Sequence, residues 1–359
     1  MTYRAVLRGY LLEEALAWLL RNSGYRLLVH AKQDPDELEM QHGALHVRGR
    51  GAIHQADALG EFAITPGFSL PIRLFLEAKY YRSRCQLQVV RNAHGVVHDV
   101  NENFIQIGSS RPRRRFQYAY ALFSASGFTV PAQEYALAQQ ISLIDLSGES
   151  FNWLREAVWI AASELYTLRD KYHIRTFPVS WMRTEIRGLL GTAITSGPEP
   201  FLEPGTTAST NAPRFRITAQ EVIAEFTSKL RMRESTELIL GFPAAPFILP
   251  LASDDPAQFI AYIKQHPAHA VRLRRRGSGQ DAEWTATPAG TQENTYKVSF
   301  KLPEKVESWI SENEKWRRAR TADVKGDLLS RITIYRHSSG ETQIYQLRYE
   351  PNELASPVP

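Results

Sequence analysis

Three ionisable residues fall where the hydropathy pattern expects a sheet interior: Asp57 in "HQADAL", and Glu77 and Lys79 in "FLEAKYY". Ionised side chains are costly to bury unless they are paired or coordinate a metal, so their presence calls for a chemical reason. Residues i and i+2 of a strand share a face, so Glu77 and Lys79 project together. If Asp57 ends the neighbouring strand, two carboxylates and an ammonium converge on one spot. Paired carboxylates with little nitrogen or sulfur nearby make a hard, oxygen-rich site suited to Mg²⁺ or Mn²⁺. Such an ion offsets the repulsion between the acids, polarises a phosphate and lowers the pKa of a bound water, which Lys79 can orient or help deprotonate. This outlines a site for phosphodiester hydrolysis. The plainer alternative is a strand-surface salt bridge beside a turn aspartate.

The flanking elements must hold these residues in place. Leu12, Leu16, Leu19 and Leu20 recur at helical spacing over residues 9–22, and the helix should stop at Asn22-Ser23-Gly24 before a strand "YRLLVH". "GALHVRGRGAIHQADALGEF" reads as a hairpin pair and "PIRLFLEAKYY" as a further strand. "YAYALFSAS", "VPAQEYALAQQ" and "ISLIDL" form a strand–helix–strand unit, which normally means a parallel, right-handed crossover. Residues 1–150 are therefore expected to be a mixed α/β domain. A long amphipathic helix then opens a connecting segment, 151–190, with Phe151, Leu154, Val158, Ala161, Leu165 and Leu168 on one stripe.

Residues 191–213 belong to a Gly-, Pro-, Ser- and Thr-rich stretch and read as a linker. Residues 214–359 read as a second, α+β domain. Its expected elements are strands near 237–251, 270–276 and 295–301, a helix from about Pro303 to Arg320, and the hairpin "RITIYRHSSGETQIYQLRYE".

In their order, these motifs resemble the PD-(D/E)xK nuclease superfamily, and within it the Mrr-like restriction endonucleases. "GYLLEEALAWLLRNSGYRLL" is similar to that branch's opening G-x-x-x-E helix followed by Gly-Tyr and a strand. "FSASGFTVPAQEYALAQQISLIDL" is similar to its Gly-Phe-Thr turn, Ala-rich helix and Ile-x-Leu-Ile-Asp strand. The resemblance covers about residues 5–150. It implies a restriction-endonuclease-like mixed sheet flanked by helices, with Asp57 and Glu77 as metal ligands and Lys79 as the catalytic lysine. It also implies that Glu13, the acid of helix one, helps hold metal or water, and that Gln55 sits beside the ligand loop. Glu14 is adjacent, but the spacing to Gly24-Tyr25 favours Glu13. The long segment between Asp57 and Glu77, containing "TPGFSLP", departs from a tight hairpin and leaves the register of Asp57 open. The implied function is Mg²⁺-dependent endonucleolytic cleavage, of DNA rather than RNA, in restriction or anti-phage defence. The alternative is a nuclease-fold subunit of a larger defence assembly whose C-terminal domain binds a partner or a small activating ligand.

The remaining composition narrows the classes. The 359 residues are 43% hydrophobic and 23% charged, with a net charge of +5 and a pI near 9.2. That balance suits a soluble globular protein and permits a polyanion partner. Glu13 and Glu14 argue against a signal peptide at the start, and a single cysteine, Cys85, allows no internal disulfide, so a reducing cytoplasm is expected. Without a G-x-x-x-x-G-K-[ST] loop the chain is no P-loop motor, so any ATP-driven translocation would need another subunit.

Several further patterns have two readings. Arg113, Arg114 and Arg115 in "RPRRR" could contact phosphates or form a solvated turn. Arg272, Arg274 and Arg276 would share one strand face, either tracking phosphates or guarding a sheet edge. "KWRRAR" would place cations at a helix C-terminus, where the dipole favours them. The tyrosines of residues 331–350 could stack on bases or be ordinary strand residues. His94 and His98 show i,i+4 spacing, but Gly95 and the valines between them read as loop or strand.

Overall fold

The structure, a computed structural model, describes residues 3–41, 43–65, 67–103, 114–193, 212–232, 239–277, 279, 282–290, 295–338 and 341–351. Helix α1 (Tyr3–Asn22) buries Leu7, Leu11, Leu12, Leu16, Leu19 and Leu20 on one side. It ends where Gly24 takes φ +83°, a left-handed conformation that glycine adopts without penalty, and the chain turns into β1 (Tyr25–Leu28). Then come β2 (Leu38–Gln41), β3 (Ala44–Arg48), β4 (Ile53–Gln55), β5 (Ala58–Phe62) and β6 (Ile72–Lys79). Helix α2 (Leu87–Asn101), β7 (Gln117–Ser124), α3 (Val130–Ala138) and β8 (Ser142–Asp145) complete the region.

One sheet runs β1-β5-β6-β7-β8, antiparallel as far as β6 and parallel from β6 to β8. The β7–α3–β8 crossover is thus parallel, as the sequence order demands. Alternation along the strands splits the core in two. Leu74, Leu76 and Ala78 face α1 and the following helix α4 (Asn152–Lys171), while Leu59, Phe75, Tyr120 and Leu122 pack with α2 and α3. Gly60 permits the close approach of α1: a Cβ there would meet Leu20 and Tyr25 at 2.9 Å.

The expected hairpin pair is divided between two sheets. Strands β2, β3 and β4 form a small antiparallel sheet of their own, while β5 leaves it for the main sheet. His94 and His98 lie in α2, not in a loop or strand. Val90, Ala93 and Val100 of that helix are buried at helical spacing, and their packing outweighs the weak helix propensity of valine and Gly95.

Helix α5 (Val179–Leu190) follows α4, and α6 (Ala212–Met232) lies beyond the linker. Phe215, Ala219, Ile223, Phe226 and Leu230 of α6 pack in the same apolar cluster as α1, α4 and α5. The second core begins with β9 (Ile239–Pro243) and β10 (Leu249–Ser253), followed by α7 (Pro256–Gln265), β11 (Ala268–Arg276), β12 (Glu283–Pro288) and β13 (Val298–Phe300). After α8 (Glu304–Ser311) and α9 (Arg317–Asp323), β14 (Arg331–Ser338) and β15 (Glu341–Arg348) form the expected hairpin. Seven of these strands close a barrel in the order β10-β13-β12-β11-β15-β14-β9, around Trp284, Leu273, Ile332 and Ile334.

Two readings of this region change. "EWTATP" is the barrel strand β12, although its short, mixed pattern gave no strand signal. The helix expected from Pro303 to Arg320 is two helices, with residues 312–316 forming an elbow between them. Its cations therefore begin a helix instead of ending one.

Candidate active site

Asp57 stands one residue before β5. The ladder pairs Ala58 with Leu76, so its next step sets Asp57 opposite Glu77, on the same face of the sheet. The Ala78 N–H donates to Asp57 Oδ2 at 2.8 Å, fixing the carboxylate against the middle of Glu77-Ala78-Lys79. Glu77 is held from two sides: the Tyr120 hydroxyl donates to its Oε2 at 2.7 Å, and Lys79 Nζ pairs with Oε1. All three residues are partly buried.

Glu13 and Glu14 approach from α1 and differ sharply. Glu14 is 1% exposed and clamped by Arg183 Nε at 2.6 Å and by Arg187 at 2.8–3.1 Å. Glu13 has a single cationic neighbour among the described residues, Arg183 at 2.9 Å. Arg183 thus bridges both acids, and its charge is also felt at Asp57.

The electrostatics follow from this crowding. Burial pushes the Asp57 carboxyl above its ordinary range, and the charge of Glu77 adds to the effect, while the Ala78 N–H and Lys79 oppose it. Glu13 is pushed up to about 7, first by burial and then by Asp57 and Glu14, against the pull of Arg183. Burial works against the Lys79 ammonium, but Glu77 and Asp57 together hold its pKa above the usual lysine value. Burial and Glu77 also raise the Tyr120 hydroxyl, so it remains a donor to the carboxylate.

Asp57 and Glu77 offer only oxygen, and each excess negative charge would be relieved by a cation. Among the described residues no group of three or more His, Cys, Asp or Glu is arranged around a common point. The chain would therefore supply two carboxylates, leaving further positions to water and substrate. That donor set fits Mg²⁺, which keeps several waters, and does not fit a closed structural zinc site. A cavity of about 50 Å³ beside Asp57 is lined also by Gln55, Glu14, Arg183 and Arg187, with room for ordered water.

Gln55 ends β4 opposite His46 and is exposed on the rim of that small cavity. Arg114 is drawn away to Glu61 at 3.2 Å, Arg115 is exposed, and Arg113 lies outside the described residues. On β11, Leu273 points into the barrel and Arg275 pairs with the buried Glu307 at 2.7 Å. Arg272, Arg274 and Arg276 share the opposite, outer face, with Arg276 across from Glu283. Cys85 is buried, with Ser124 Oγ 3.4 Å from its thiol.

Sequence reasoning missed Tyr120, Arg183 and Arg187. The Tyr118/Tyr120 alternation placed two hydroxyls on one strand face, and the i,i+4 spacing of the arginines placed them on one helix face. Neither pattern pointed to the acids they meet.

A much larger opening lies elsewhere, between the sheet and the barrel. This cavity of about 640 Å³ is lined by, among others, Phe128, Asp145, Phe247, Phe300, Lys301 and Glu304. Among the described residues no helix is long and apolar enough to cross a membrane.

Neither family models nor curated proteins match this chain. A solved structure described as a protein of unknown function, AF1548, is similar at 17% identity with a TM-score of 0.30, covering 62% of this chain and 97% of that one.

Proposed function

We propose that the chain is a metal-dependent endonuclease of the PD-(D/E)xK type, cutting DNA in restriction or anti-phage defence. The observation that carries this reading is the contact of Asp57 with Glu77-Ala78-Lys79 through the Ala78 N–H. It joins the two segments that the motif requires across the long loop between β5 and β6. Asp57 and Glu77 would hold Mg²⁺. When bound, the ion would stabilise charge on the phosphate and acidify a water. Tyr120 fixes the orientation of Glu77, and the Ala78 N–H fixes that of Asp57. Lys79 supplies a positive charge beside Glu77 that can orient the attacking water once the ammonium turns from the carboxylate. Glu13, with its carboxyl near neutrality, can hold or release a proton at the edge of this group.

The test is incubation of purified protein with plasmid in Mg²⁺, Mn²⁺ or excess EDTA, beside an Asp57→Ala control. Cutting should require either metal and be lost in Asp57→Ala. Undiminished cutting in EDTA would sink the reading.

The cavity between sheet and barrel favours a second reading, in which the barrel domain of a nuclease-fold subunit receives a small activating ligand. Ligand-dependent cutting by a protein inactive alone would separate the two.

A further inference from the structure

The elbow between α8 and α9 breaks the local rules of helix stability. In the turn that precedes α9 the Lys315 N–H donates to Asn313 Oδ1 at 3.0 Å, and the first turn of α9 itself holds no acid. Lys315, Arg317 and Arg318 then follow, placing three cations at the end of the helix where the dipole opposes them. Trp316, immediately before α9, is 60% exposed and makes no side-chain cap. Trp309, on α8, is 41% exposed and carries the Arg320 guanidinium 5.0 Å from its ring centre.

Nearby acids account for part of this charge. Glu312 takes Arg320 at 2.9 Å, and Glu314 takes Arg317 at 3.5 Å. Among the described residues neither Lys315 nor Arg318 pairs with an acid, and both are exposed. Two large aromatics and a net positive charge, held against helix preference, mark a surface selected for something other than folding.

We propose that this elbow binds single-stranded nucleic acid. Trp316 stacks on an unpaired base, the Trp309–Arg320 pair offers a second platform, and Lys315, Arg317 and Arg318 neutralise backbone phosphates. Tryptophan faces beside cations are the chemistry by which single strands are held without sequence readout. A duplex hides its base faces, so the aromatic half of the surface favours an unpaired strand.

The position suits a substrate path. The first residue of α8, Glu304, receives Arg84 at 3.4 Å, and its N–H donates to Gln133 Oε1 at 2.6 Å. Arg84 precedes Cys85, whose thiol feels the charges of Lys79 and Glu77, so α8 runs from beside the candidate active site to the elbow over about 12 Å of helix.

The proposal stands on the elbow alone and does not need Asp57 chemistry. It is tested on the full chain in EDTA, by fluorescence anisotropy of labelled single strands of about 16 nucleotides, as DNA and as RNA, with a duplex as a third arm. Trp316→Ala should weaken single-strand binding about tenfold, while Trp316→Phe keeps most of it. Lys315→Glu, Arg317→Glu and Arg318→Glu together should weaken binding and lower the salt slope by about 2. Binding of both DNA and RNA supports stacking, because every base has a face. All these side chains are exposed, and circular dichroism should show unchanged folding. No binding by the wild-type chain overturns the proposal. So does wild-type affinity and salt slope in both Trp316→Ala and the triple variant, or a duplex preference indifferent to Trp316.

Discussion

The β5–β6 ladder carries buried charge at both ends, and the two ends are built differently. At one, Arg73 is 1% exposed and faces Glu61 across the strands. Its guanidinium donates to Glu61 at 3.0 and 3.2 Å, to Asp34 at 2.6 Å and to the Tyr118 hydroxyl at 3.1 Å, and lies 3.3 Å from the Phe116 ring centre. At the other, Asp57 and Glu77 crowd together with one lysine between them, and Asp57 is pushed towards protonation. The first end answers its acids with cations, Arg26 and Arg114 also reaching Glu61, and four of the five guanidinium N–H groups have partners. The second leaves an excess of negative charge that a cation from solution could answer. A satisfied buried network holds a fold together, whereas an unsatisfied one marks a place where chemistry is done.

The largest expected effect separates the ends by stability. Arg73→Met removes the buried guanidinium that joins Glu61 to Asp34 and leaves Glu61 only the exposed Arg26 and Arg114, so it should lose about 3–5 kcal/mol in urea unfolding. Asp57→Asn removes one of two repelling acids and should leave the unfolding midpoint unchanged or higher, although activity is lost. A marginal loss in Arg73→Met, or unfolding of Asp57→Asn, would erase the distinction.

A second measurement sharpens the crowded end. In calorimetric titration with Mn²⁺, Asp57→Ala and Glu77→Ala should each weaken binding by about tenfold or more. Lys79→Ala deletes a charge without deleting a ligand, so affinity should fall much less, or rise as Glu77 is freed. Equal losses in all three would show that Lys79 shapes the site and does not merely attend it.

The legible part of this site was the part that lies on one strand. Glu77 and Lys79 share a face by strand geometry alone, and both project as the period of two requires. Asp57 needed a register across residues 63–71, and no turn signal there fixes one; only the pairing of Ala58 with Leu76 does. Arg183 was not legible, because it reaches α1 from 170 residues away and its own helix reads as an ordinary amphipathic one. The fold divides similarly. Long periodic segments such as α1 and α4 were plain, while α2 and β12 depend on the surfaces they pack against. The break between α8 and α9 also went unseen, since "SENEK" contains no glycine or proline to announce it.

The smallest expected effect concerns the neighbours Glu13 and Glu14, which repeat the contrast of the two ends within one helical turn. Glu14 is clamped by two arginines, so Glu14→Gln should lower stability near neutral pH and affect cleavage mainly through folding. Glu13 holds its proton up to about pH 7, against an ordinary value of 4.5, chiefly through burial. The folded chain therefore keeps a proton that the unfolded chain has released, and its stability falls as pH rises through that window. Glu13→Gln cannot ionise and escapes the loss. In metal-free thermal melts the variant should match the wild type near about pH 4 and exceed it at about pH 8, by on the order of 2 kcal/mol. Cleavage should fall further in Glu13→Gln than in Glu14→Gln once each is compared at equal folded fraction. A melting difference that does not change with pH would mean that Glu13 is an ordinary solvated acid, and the reverse order of cleavage rates would hand its role to Glu14.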